Sequence, residues 1–224
     1  MVILIAGASH VGKTVLAQRL LERYQFPYLS MDWLKMGLIR SGQTRLTPMD
    51  GAALTDYLWP IVREMIRTVI ENGQDLIVEG CFIPFNWAKD FDSRCLSEIR
   101  YTCLVMSRRY IENHWADIQA HASDVERRKD DSDCTMAAMI ADNEECLRQC
   151  RMHGCPYWLI DGDYMVEPDF CQPFTGKAPA PHRRGAGFEA GGRAIPVPSA
   201  RPATGRTGAA DAPGRPCDGL ARSH

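Results

Sequence analysis

Val2-Ile3-Leu4-Ile5-Ala6-Gly7-Ala8-Ser9-His10-Val11-Gly12-Lys13-Thr14 decides how the rest of this sequence is read. Val2 to Ala6 is apolar without polar alternation, the pattern of a central parallel strand covered by helices on both faces. Gly7 to Thr14 follows the spacing G-x-x-x-x-G-K-[ST] without departure. Gly7 and Gly12 permit main-chain conformations with positive φ and leave room for phosphate oxygens beside the backbone. The loop N–H groups, across Ala8, Ser9, His10 and Val11, then point inward as an anion-binding nest. A helix starting near Lys13 adds its positive dipole end. Lys13 supplies a point charge to the β- and γ-phosphates, and Thr14 offers a hydroxyl to Mg²⁺. His10 reads as a spacer within the loop rather than a catalyst. The motif, with a strand before it and a helix after it, predicts nucleotide binding.

Outward from that stretch, residues 13–23 place Leu16, Leu20 and Leu21 at helical spacing. Short apolar runs recur at Phe26–Ser30, Leu76–Val78, Tyr101–Met106 and Tyr157–Ile160, with helix-like stretches between them. Such alternation implies an α/β fold, a parallel sheet of about five strands joined by right-handed crossovers. Thr47-Pro48-Met49-Asp50 predicts a helix start, with Thr47 as N-cap and Pro48 at the first helical position. That helix would bury Ile61, Val62, Met65, Ile66, Val69 and Ile70 and stop near Asn72-Gly73, with Pro60 kinking or dividing it. A second long helix is expected over roughly 134–152, ending at His153-Gly154. Before it, Ser123 to Asp133 is a dense charge run. It reads either as a solvated face or as a mobile lid spanning about 122–133.

Of the 224 residues, 172–224 hold 9 of the 18 Gly, 8 of the 14 Pro and 11 Ala. This tail cannot bury enough apolar surface to offset its ordering entropy, so disorder is expected there, with one globular domain over 1–171. The tail carries 8 Lys+Arg against 3 Asp+Glu, a net of +5, leaving 18 basic and 25 acidic residues, a net of −7, for the core. An acidic core argues against general affinity for nucleic acid or anionic membranes. No run reaches the ~18 apolar residues that span a bilayer. The opening apolar run is too short for a signal peptide. A cytoplasmic location is therefore expected, and the nine Cys read as thiols rather than a disulfide framework.

The loop at the start of so short a core resembles that of the small P-loop kinases. This group includes adenylate and shikimate kinases, chloramphenicol phosphotransferase, zeta toxins and 2-phosphoglycerate kinase-like proteins. The resemblance covers about residues 1–165, specific at the loop and loose elsewhere. It implies the P-loop NTPase three-layer sandwich, with ATP and Mg²⁺ as cofactors. In that group an Asp just after the second strand contacts the acceptor hydroxyl and accepts its proton. Asp32, after Tyr28-Leu29-Ser30-Met31, matches the position, although it could equally cap a helix over Trp33–Arg40. Glu79, closing Leu76-Ile77-Val78-Glu79-Gly80, resembles the Walker-B acid. It would hold Mg²⁺ through water or contact substrate, or else be a solvated strand-end carboxylate. Gly7, Asp32 and Glu79 would converge beyond the carboxyl ends of the strands, where open α/β sheets bind ligands.

Arg127 and Arg128 fall where relatives carry lid arginines that neutralise charge on the transferred phosphoryl group, or are merely exposed. Arg108 and Arg109, after the fourth strand, are weaker candidates. Arg40 or Arg45 would hold an anionic acceptor. Trp33, Tyr57 and Trp59 read mostly as core, and packing is the better reading for Phe82, Phe85 and Trp87 beside a possible acceptor pocket. Cys146, Cys150, His153 and Cys155 lack the tight pair of a structural zinc site and read better as small buried hydrophobes. The tail reads as out-of-frame or appended sequence in preference to a basic interaction arm. Together these readings predict a phosphotransferase moving the γ-phosphate of ATP to a small hydroxyl or phosphate acceptor. A regulatory nucleotide-switched ATPase and a zeta-toxin-like kinase of a sugar nucleotide are the alternatives.

Overall fold

The computed structural model describes residues 1–121, 134–164, 166 and 170, all within the unit Met1–Arg184. In chain order the elements are β1 (Val2–Gly7), α1 (Lys13–Tyr24), β2 (Tyr28–Ser30), α2 (Met31–Arg40), α3 (Gly51–Glu71) and β3 (Leu76–Glu79). A 3-10 turn at Trp87–Asp90 leads to α4 (Ser93–Glu98), β4 (Ile99–Met106), α5 (Arg108–Asn113), α6 (Trp115–His121), α7 (Met136–His153) and β5 (Tyr157–Ile160). The five strands form one parallel sheet in the order β2-β3-β1-β4-β5.

β1 sits at the centre because every residue in it is buried. Val2, Leu4 and Ala6 join a core on one face with Leu54, Leu58 and Val62 of α3. Ile3 and Ile5 join the core on the other with Leu16, Ala17 and Leu20 of α1 and Ile111 of α5. A strand apolar on both sides requires a layer of helix on each, so the molecule is the expected three-layer α/β sandwich. The strand order turns at β1, with β3 on one side and β4 on the other. The crevice beyond its carboxyl end is therefore the topological switch point where such sheets take ligands.

Several expected boundaries move. α3 begins at Gly51, not at Pro48: the Asp50 carboxylate accepts hydrogen bonds from the Thr47 N–H (2.7 Å) and hydroxyl (2.8 Å), closing a separate turn. Those bonds hold the Asp50 carboxyl below its ordinary pKa. Pro60 does not divide α3. It lies on the exposed side, and Leu54, Leu58, Val62 and Ile66 form a stripe at four-residue steps that continues past it. Burying that stripe on both sides outweighs the roughly 3 kcal/mol cost of an internal Pro. Met65, off the stripe, is 39% exposed rather than buried. α7 ends as expected, with Gly154 at φ 65°. No helix among the described residues is long and apolar enough to cross a membrane. The lid at 122–133 and the tail at 172–224 lie outside the described residues.

Candidate functional site

Register brings the predicted acids to the loop. Glu79, the last residue of β3, pairs with Ile5 of β1 on one side and Ser30 of β2 on the other. Asp32 stands two residues beyond Ser30, in the first turn of α2. Gly80 lets the start of α2 come close, since a Cβ there would stand 2.7 Å from Met31 Cβ. Asp32 therefore does not begin or cap a helix at Trp33. α2 starts at Met31 with Ser30 in the cap position, and the Asp32 carboxylate accepts a hydrogen bond from the Lys35 ammonium.

The Gly7–Thr14 loop has the conformation its glycines were expected to permit. Gly7 lies at φ 141° and Gly12 at φ 85°. A Cβ on Gly7 would stand 2.5 Å from the Leu104 carbonyl oxygen of β4. On Gly12 it would stand 1.7 Å from the Tyr164 hydroxyl. His10 is held at φ 62°, a left-handed conformation uncommon for a side-chain-bearing residue. Ala8 and Val11 are buried, while Ser9, His10, Gly12 and Thr14 are partly exposed. α1 starts at Lys13 and directs its N-terminus at the loop.

Lys13 is 6% exposed and its ammonium donates to the Ala8 carbonyl at 2.7 Å. Burial alone would lower its pKa. Cys81, Glu79 and Asp32 oppose that and together hold the ammonium above its ordinary value, so it stays charged. Cys81, Glu79 and Asp32 thus lie within electrostatic reach of the Lys13 ammonium. Glu79 is 1% exposed.

The remaining candidates separate. Arg40 is exposed in the last turn of α2, eight residues from Asp32, or about 12 Å along the helix axis at 1.5 Å per residue. Arg45 is also exposed. Arg108 pairs with Glu144 at 2.9 Å and Arg109 with Asp161 at 3.0 Å, both in exposed bridges. Arg127 and Arg128 lie outside the described residues. Trp33 is 57% exposed, contrary to the core reading, whereas Trp59, Phe82 and Trp87 are buried. Cys150 and Cys155 are buried in the core under Tyr101, Trp87 and Cys103. The group Cys146, Cys150, His153 and Cys155 does not converge as a metal site. No cluster of three or more His, Cys, Asp or Glu among the described residues is arranged to hold an ion.

Three residues escaped the sequence reading. Lys35 was signalled by its spacing three after Asp32 on a helix. Cys81, two after Glu79, is exposed and lies 3.9 Å from the Ser9 hydroxyl. Tyr164 donates its hydroxyl to the Val11 carbonyl at 3.0 Å across 153 positions of sequence, which no local pattern announces.

No protein-family model and no curated protein matches the chain. Among solved structures, it is similar to a gluconokinase from Sinorhizobium meliloti 1021, at 12% identity over 76% of this chain and 83% of that one, with a TM-score of 0.41. It is also similar to shikimate kinase from Bacteroides thetaiotaomicron, at 15% identity over 68% and 80% of the two chains, with a TM-score of 0.39. At such scores the fold assignment rests on the sheet order and the β1–loop–α1 unit.

Proposed function

We propose that the chain is an ATP-dependent phosphotransferase that moves the γ-phosphoryl group to a hydroxyl or phosphate oxygen of a small acceptor. The observation that supports it is one cluster: a buried, charged Lys13 in a glycine-built loop, with Asp32 and Glu79 within electrostatic reach of its ammonium. The loop amides and Lys13 bind the triphosphate and draw charge toward the β–γ bridge. Asp32, in the first turn of α2, orients the acceptor hydroxyl and takes its proton. As the acceptor oxygen forms its bond to the γ-phosphorus, the bond to the bridging oxygen breaks and ADP leaves with that electron pair.

Hard oxygen donors suit Mg²⁺, and the Thr14 hydroxyl at the start of α1 and the Glu79 carboxylate at the end of β3 are the residues that would hold it. When bound, the ion supplies neutralisation of the phosphate charge. Arg127 or Arg128, outside the described residues, would neutralise charge on the γ-phosphate in this reading.

Calorimetry with ATP in magnesium buffer, on the full chain and on Lys13→Ala, tests the proposal. Heat of binding is expected for the first and is lost in the second. No heat with the folded native chain would end the reading.

A further inference from the structure

Lys35 stands one helical turn after Asp32, and its ammonium donates to Asp32 Oδ1. Its side chain is 14% exposed and that of Asp32 25%, so the pair is sheltered rather than solvated. The Phe82 ring lies 5.1 Å from the ammonium. Phe82 follows Glu79 by three residues, and Asp32 lies within electrostatic reach of Lys13. The pair therefore belongs to the end of the sheet that holds the phosphate loop. An i,i+3 pair on an open helix face would mean little. This one is seated on an aromatic ring beside the catalytic cluster.

We propose that Lys35 is a specificity-determining residue that receives an oxyanion, carboxylate or phosphate, carried by the acceptor close to the hydroxyl that is phosphorylated. The inference deepens the phosphotransferase reading and rests on it. An acceptor hydroxyl that donates to Asp32 competes with the Lys35 ammonium for that carboxylate. A sheltered cation deprived of its partner costs free energy. An oxyanion on the same acceptor restores a partner to Lys35, so hydroxyl and oxyanion together satisfy both members of the pair. A neutral polyol satisfies Asp32 alone. The Phe82 ring attracts the cation through its face and keeps it in place during the exchange. Charge points the same way: Asp32 and Glu79 repel an anionic acceptor, and Lys13 is committed to the nucleotide. Among the described residues, that leaves Lys35 as the cation packed beside Asp32. Arg40 and Arg45, the anion holders expected from sequence, are exposed.

A pool of polar metabolites, separated by anion exchange into neutral and anionic fractions, tests this. Each fraction is incubated with the full chain, ATP and Mg²⁺, and searched by mass spectrometry for a gain of one phosphate. Products are expected from the anionic fraction. Prior treatment with alkaline phosphatase, removed before ATP is added, abolishes them if the oxyanion is a phosphomonoester and spares them if it is a carboxylate. Products from the neutral fraction alone overturn the role of Lys35 and leave phosphotransfer standing. No product from either fraction overturns both. On the acceptor so found, Lys35→Met is expected to raise KM about tenfold or more with kcat changed less than about threefold, and Lys35→Arg to recover most of the loss. An unchanged KM overturns the proposal. Should Lys35→Met not fold, Lys35→Gln supplies the same readout.

Discussion

The two halves of the proposed site are made of different material. The phosphate side is main chain: the Gly7–Thr14 loop, held at its ends by two glycines and at its back by the Tyr164 hydroxyl on the Val11 carbonyl. The acceptor side is side chains: Asp32 and Lys35 from α2, with Glu79 and Phe82 from the end of β3 and the segment after it. A main-chain cradle fails when one atom is added in the wrong place. A set of side chains changes by degrees, one function at a time. Substitutions should therefore act on folding and nucleotide affinity on the first side and on turnover and selectivity on the second.

The hardest test of that division is Gly7→Ala. Its Cβ would meet the Leu104 carbonyl oxygen, which belongs to a central strand and has nowhere to move. Overpacking and the positive φ together are expected to cost roughly 2–5 kcal/mol, read by urea denaturation. Native-like stability would mean that the loop tolerates what its geometry forbids.

Lys13→Ala comes next, with ATP affinity falling about 100-fold or more while the chain stays folded, as calorimetry and far-UV circular dichroism would show. Lys13 also makes a pH prediction. Its pKa is held above 10.5 in the fold, so its stabilising contribution is fully present below that pH and is lost as pH rises through the raised value. The native chain should lose stability above pH 10.5 more steeply than Lys13→Met. Parallel curves would show that Cys81, Glu79 and Asp32 do not favour the ammonium.

On the acceptor side, Asp32→Asn is expected to lower kcat about 100-fold while the ATP dissociation constant stays within about twofold, since a general base typically contributes 10²–10⁴. Equal loss of both would erase the distinction between the halves. Tyr164→Phe is the mildest change. One hydrogen bond worth about 1 kcal/mol is removed from the back of the loop, and ATP affinity should fall about fivefold by calorimetry with little change in kcat.

What the sequence reveals follows the same division. The β1–loop–α1 unit is readable because a fixed spacing and an unbroken apolar run constrain the backbone directly. The convergence of Asp32 and Glu79 follows from knowing that strand ends share an edge. The Asp32–Lys35 pair needs the start of α2 at Met31, which depends on the Ser30–Glu79 register rather than on any cap signal. Tyr164 depends on a contact between residues 153 positions apart. α4, α5 and α6 span six, six and seven residues, too short for periodicity to register. Arg108 and Arg109 look available until Glu144 and Asp161 are placed beside them.

The contact between Met31 and Gly80 has a consequence for how such a molecule diversifies. Because no side chain separates them, the first turn of α2 is welded to the end of β3, and the two carboxylates cannot drift apart when residues further along the helix are exchanged. In the proposed site the loop and the α2 side chains are thus separately editable, and they meet at the Met31–Gly80 contact. A library randomised at the exposed positions of α2 beyond Asp32 would keep the Met31–Gly80 junction, whereas one that touched position 80 would force it open.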